Sequence, residues 1–115
     1  EVPLNGWIGD NNHGCSMVDA CSVGKGSNEA SERDWYNFYE RNFNKYFYNV
    51  KVPLPIFTHA SMFVKYANSY PALVTWIRDK LQEHEDVWFV TPTQVIEWMR
   101  NPLSNEDMIT QNWGC

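Results

Sequence analysis

Apolar side chains in this sequence fall into stripes at helical spacing and two short continuous runs. The longest stripe is Trp35, Phe38, Tyr39, Phe43, Tyr46 and Phe47, with Glu40, Arg41, Asn44 and Lys45 on the other side. Steps of three and four predict an amphipathic helix over 32–48. Its start is marked by Ser31-Glu32-Arg33-Asp34, a capping box in which Ser31 accepts from first-turn amides and Asp34 reaches back. A helical start follows at Ser61–Tyr66. Another helix restarts at Tyr70-Pro71, because proline is tolerated in a first turn. Its stripe is Leu73, Val74, Ile77 and Leu81, with Arg78, Asp79, Lys80, Glu83 and Glu85 turned to water. Thr91-Pro92-Thr93-Gln94 opens the next helix with a threonine cap, and Val95, Ile96 and Met99 form its inward face. Asn101-Pro102 ends it, and Ser104-Asn105-Glu106-Asp107 opens a last short turn.

The two continuous runs lie between these helices. Residues 52–58, Val-Pro-Leu-Pro-Ile-Phe-Thr, and residues 87–90, Val-Trp-Phe-Val, read as short buried parallel strands. Strand, helix, strand, helix in that order predicts an α/β fold with right-handed crossovers. Two short strands cannot close a barrel or make a stable sheet, since a parallel sheet must be paired on its edges and covered on both faces. The expectation is therefore the C-terminal portion of a (β/α) barrel, incomplete in this chain, with Glu1-Val2-Pro3-Leu4 reading as the end of a strand. The chain divides on this reading into a Gly-, Asn-, Asp- and Ser-rich loop over 1–30, a helix-strand-helix-strand-helix block over 31–100 and a tail over 101–115.

Candidate chemistry starts at His59, at the carboxyl end of the first run, where α/β folds bind ligands and carry out reactions. His13 lies in the Gly-rich loop and reads as solvated. His84 ends a helix among acidic neighbours, and no function is assigned to it. Cys15, Cys21 and Cys115 lack CxxC spacing and a histidine pair, so they fit disulfides better than a zinc site. An odd number leaves one for a partner outside these 115 residues or as a free thiol.

Composition narrows the function classes. A net charge of −5 with nine basic residues and no basic run argues against nucleic-acid binding. Trp, Tyr and Phe occur six times each, and exposed aromatics of this kind would suit the apolar faces of sugars, although most fall at core spacing. No run of eighteen apolar residues exists and no charged-then-apolar leader precedes Glu1, so the expectation is a soluble chain, already processed if secreted. There is no N-x-[ST] glycosylation acceptor.

Two segments together carry a family resemblance. Pro53-Leu54-Pro55-Ile56-Phe57-Thr58-His59-Ala60-Ser61-Met62-Phe63 and the later Asp86–Met99 resemble the C-terminal part of animal chitin deacetylases, which are polysaccharide deacetylases of carbohydrate esterase family 4. Val2-Pro3-Leu4 and Gly14–Cys21 also resemble the cysteine-bearing loop of arthropod members, so the likeness runs along nearly the whole chain. The resemblance implies a distorted (β/α) barrel and a secreted, extracellular enzyme that removes N-acetyl groups from chitin or chitooligosaccharides. It further implies a divalent metal, usually zinc, on an aspartate and two histidines, an upstream aspartate as base, and a late-strand histidine that protonates the leaving amine.

That last histidine corresponds to His59. The metal ligands and the base belong to upstream strands, with no counterpart motif here, so this chain alone is expected to be inactive without the upstream remainder of its polypeptide. Phe57 stands where relatives use a smaller leucine against the acetyl group, and Met62 where they often carry tryptophan. Both would reshape the pocket, and Trp7 is a further candidate to flank a sugar. The alternative reading is a non-catalytic relative that binds chitin or another matrix polymer and lacks the metal site.

Overall fold

The computed structural model of the chain describes residues 4–111 and 113. It divides into two compact units, one running as far as Arg78 and the other from Asp79 onward. Of the strand end expected over Glu1–Leu4, the first three residues lie outside the described ones, as does Cys115, and Leu4 belongs to no strand.

In the first unit, strands β1 (Trp7–Ile8) and β2 (Gly14–Cys15) form a minimal antiparallel pair, with Trp7 opposite Cys15 and Ile8 opposite Gly14. The stretch expected as plain loop is thus folded back on itself. Asp10 closes it, accepting from the Gly24 amide at 2.6 Å and pairing with Arg41. A single 3-10 turn, Val18–Ala20, follows, with Val18 buried.

Helix α1 spans Glu32–Asn42 and continues without a break as a π-helical stretch, Phe43–Tyr48. Together they cover the predicted 32–48. The capping box is present, and the Ser31 hydroxyl and amide hold the Asp34 carboxyl below its ordinary value. Trp35, Phe38, Tyr39, Phe43 and Phe47 are buried as expected of one helical face, and Tyr46 is half-buried.

Trp7 completes this aromatic core from β1. Its ring stacks on Phe38 at 5.4 Å and meets Tyr39 edge-on at 6.2 Å. Burial raises the Tyr39 phenol above its usual range, and its hydroxyl donates to the Ser69 carbonyl. Asn42 is the polar member of the same stripe and is fully buried. Its side chain accepts from the Ile8 amide and donates to the Ile8 and Phe38 carbonyls, so that β1 docks on α1 through a side chain acting as a ladder partner.

Helices α2 (Met62–Lys65) and α3 (Ser69–Glu83) follow, α3 crossing from the first unit into the second. The buried face of α3 differs from the aliphatic stripe. Ser69, Ala72, Trp76 and Lys80 are buried, Leu73 and Ile77 are half-buried, and Val74 and Leu81 are exposed. Trp76 sets this rotation, because its ring packs on Tyr39 and Phe43 and its indole N–H needs an acceptor. Glu40 supplies it at 2.9 Å, which draws a residue expected in water onto the core.

In the second unit, α4 (Pro92–Arg100) starts with the predicted capping box between Thr91 and Gln94 and the predicted proline. Helix α5 (Asn105–Thr110) starts at Ser104. Val95 and Ile96 are half-buried, whereas Met99 is exposed rather than inward.

Residues 52–58 and 87–90, expected as buried parallel strands, are neither buried nor paired in a ladder; among the described residues only β1 and β2 pair. The reason at 52–58 is visible in its hydrogen bonds. Alternate carbonyls, those of Pro53, Pro55 and Phe57, accept from the Asn5 side-chain amide, the Trp7 indole and the Val18 backbone amide. Such alternation is the period of extended backbone. Pro53 and Pro55 have no N–H to return, so this edge can accept but cannot build a reciprocal ladder. At 87–90, Trp88 instead donates its indole N–H to Asn105 at 2.8 Å, and Trp88 and Phe89 stay largely exposed.

Candidate functional site

His59 lies between the extended segment and α2, with its amide-side neighbours fixed from below. The Phe57 carbonyl accepts from the Val18 amide at 3.0 Å, which ties the segment to the 3-10 turn. Residues 16–20 form the span between Cys15 and Cys21, which are disulfide-bonded and six positions apart. Asp19, on that turn, faces His59.

The carboxylate of Asp19 holds three groups. Its Oδ2 lies 2.9 Å from His59 Nδ1, and its Oδ1 accepts from Thr58 Oγ1 at 3.2 Å and from the His59 amide at 3.4 Å. An ionised carboxylate can only accept, so Nδ1 is the protonated nitrogen and Nε2 is left for proton exchange. Nε2 has no hydrogen-bond partner among the described residues, and the His59 side chain is 64% exposed against 22% for Asp19. The pair can therefore take up or release a proton at an accessible nitrogen whose tautomer is set.

Partial burial raises the Asp19 carboxyl, but hydrogen bonds from the His59 ring, its own amide and the His59 amide outweigh this and hold it below its ordinary 3.8. A carboxyl depressed in the folded state adds stability that is fully present above the unfolded value and disappears as pH falls through the lower, folded one. Carboxyl-carbon NMR titration should thus place the Asp19 midpoint below 3.8, with the His59 contact surviving at pH 4. A midpoint at or above the ordinary value would mean that the contact does not persist in solution.

The other expected site residues are placed differently. Met62 is 2% exposed, and its sulfur packs 2.9 Å from Thr58 Oγ1, whose one proton goes to the Asp19 carboxylate; it supports the His59 turn from inside. Trp7 is 1% exposed and donates its indole N–H to the Pro55 carbonyl at 3.2 Å. It braces the segment that carries His59 and has no face open to a sugar. Phe57 is half-buried. Cys15 and Cys21 are joined, and Cys115 lies outside the described residues.

His13 is exposed, and His84 is half-buried after the last residue of α3. Among the described residues no group of three His, Cys, Asp or Glu side chains could hold a metal ion. The metal implied by the resemblance was assigned to upstream residues, and no step through a metal is given to the described ones. Asp19 was missed by sequence reasoning, and its position inside a short cysteine-bounded span was the signal available.

No protein-family model matches the chain. It is 39% identical over 89 residues, 77% of its length, to chitin deacetylase 1 of Bombyx mori. It is 30% identical over 105 residues, 89% of its length, to chitin deacetylase 8 of the same insect. The matched segments span 16% and 26% of those relatives' own lengths.

Proposed function

The chain is related to the arthropod chitin deacetylases, and from that kinship we propose that it is the C-terminal portion of a secreted, metal-dependent deacetylase acting on N-acetylglucosamine polymers such as chitin. The observation that carries the proposal within this chain is the Asp19–His59 pair. A histidine with its Nδ1 held by a carboxylate and its Nε2 accessible suits proton delivery to the amine that leaves when an acetamide is hydrolysed.

His59 acts here as the general acid, and Asp19 holds its tautomer. A divalent metal, zinc by the family resemblance, would be held by residues upstream of this chain and would supply the polarisation of the acetyl carbonyl and the activation of water. In this proposal 52–58 is a late strand of a distorted (β/α) barrel. The Cys15–Cys21 bond accords with an oxidising, extracellular location. No helix among the described residues is long and apolar enough to cross a membrane.

The test is acetate release from chitin oligomers by the full-length protein, before and after treatment with a zinc chelator. Release should fall at least about a hundredfold on chelation and return on adding zinc. Polymer binding with no acetate release under any metal would replace the proposal with a non-catalytic chitin- or matrix-binding role.

A further inference from the structure

The Asp19–His59 contact spans forty positions of sequence, and the elements that hold its two ends are unequal. His59 follows a segment anchored through the Pro53, Pro55 and Phe57 carbonyls. Asp19 sits on a turn of three residues, too short to hold its own geometry by helical hydrogen bonding. What fixes that turn is the closure around it. Cys15 belongs to β2 and lies opposite the core residue Trp7. Cys21 is buried, and its amide donates to the Val18 carbonyl at 3.2 Å. The covalent bond between them closes a small ring that carries Asp19.

We propose that the Cys15–Cys21 disulfide is the positioning element for Asp19, so that its reduction uncouples Asp19 from His59 while the aromatic core stays folded. The two parts respond differently because they are held differently. The core around Trp7, Trp35, Phe38 and Tyr39 is assembled by burial and by α1. The turn is restricted chiefly by its ring, and opening that ring returns conformational freedom to residues 16–20. Val18 keeps its buried side chain and its amide bond to Phe57, but these and the two hydrogen bonds of the turn itself, from the Ala20 and Cys21 amides, do not hold Asp19 against rotation once the ring is open.

The chemistry is thiol–disulfide exchange with a dithiol. One thiolate of the reductant attacks Sγ of Cys15, the less buried of the two cysteines, and Cys21 leaves as a thiolate. The second thiol of the reductant then displaces Cys15 and forms the reductant's own disulfide. Two electrons pass to the protein, and both cysteines are protonated from solvent. Insofar as it concerns catalysis the inference rests on the deacetylase reading, whereas the coupling of Asp19 to the disulfide does not.

The experiment uses the full-length protein with carboxyl-labelled aspartate, and Asp19→Asn assigns the signal. In the oxidised protein the Asp19 midpoint lies below its ordinary value, and dithiothreitol should move it up toward that value with the near-UV aromatic signal retained. The kcat for acetate release should fall about tenfold with KM within about twofold, and reoxidation should restore both readouts. A Cys15→Ser, Cys21→Ser double variant should match the reduced protein, which assigns the effect to this bond among any others. Reduction of the folded oxidised protein serves if that variant does not fold. An Asp19 midpoint unmoved by reduction overturns the proposal. A shift accompanied by loss of the near-UV signal also overturns it, because the bond would then hold the whole fold. A shift in a protein that releases no acetate in either state supports the positioning role and removes the deacetylase reading.

Discussion

Alanine in place of His59 should lower the kcat for acetate release by the full-length protein by about 10²- to 10⁴-fold, the range contributed by a positioned general acid. KM should change little, because the ring is 64% exposed and contributes no core contact whose loss would reshape a groove. The loss should be greatest for substrates with a poor leaving amine and smaller for an activated acetyl ester, whose leaving group needs no proton. Asp19→Asn should fall between wild type and His59→Ala. The asparagine can still accept from Nδ1 through its carbonyl oxygen, but its amide can also turn an N–H toward the ring, so the tautomer is no longer fixed. Unchanged acetate release in His59→Ala would reduce the Asp19–His59 contact to an exposed ion pair, worth little on its own.

The largest loss of stability should come from Trp7→Ala, about 3–5 kcal/mol by urea unfolding. Three effects combine. The ring stacked on Phe38 and edged by Tyr39 and Phe47 is removed, and a cavity opens in a core that consists of aromatic rings. In addition, the Pro55 carbonyl loses its donor and is left unsatisfied. Trp7→Phe should retain most of the packing and lose the hydrogen bond, costing roughly 1–2 kcal/mol. A domain with a total stability of about 5–15 kcal/mol would lose a large share of it in the alanine variant. A change below roughly 1 kcal/mol would mean that the indole is not the keystone its burial suggests.

Elements whose cause is local were legible in the sequence. The Ser31 and Thr91 capping boxes and the aromatic stripe of α1 depend only on residues three or four apart, and each stands where it was expected. What depends on a distant partner was not legible. Aliphatic spacing alone turned α3 toward Leu73, Val74, Ile77 and Leu81, whereas the Trp76 indole turns it toward Glu40. An apolar run between prolines carries strand-like composition, yet the absent N–H groups of Pro53 and Pro55 decide that its inner edge meets side chains rather than a strand. Periodicity singled out no candidate at the site. His59 stood out by its place at a segment end and by family resemblance, and Asp19 becomes visible only when the disulfide span folds across forty positions.

The alternating prolines also bear on self-association. A short apolar segment with two bare edges is a template for copies of itself, because each edge offers donors and acceptors that an identical strand can match. On the Pro53 and Pro55 side two donors are missing and the carbonyls are already engaged. Stacking must propagate through both edges, so it stops after one addition. The same two prolines that prevented an internal ladder thus close this side of the segment to strand addition from another molecule.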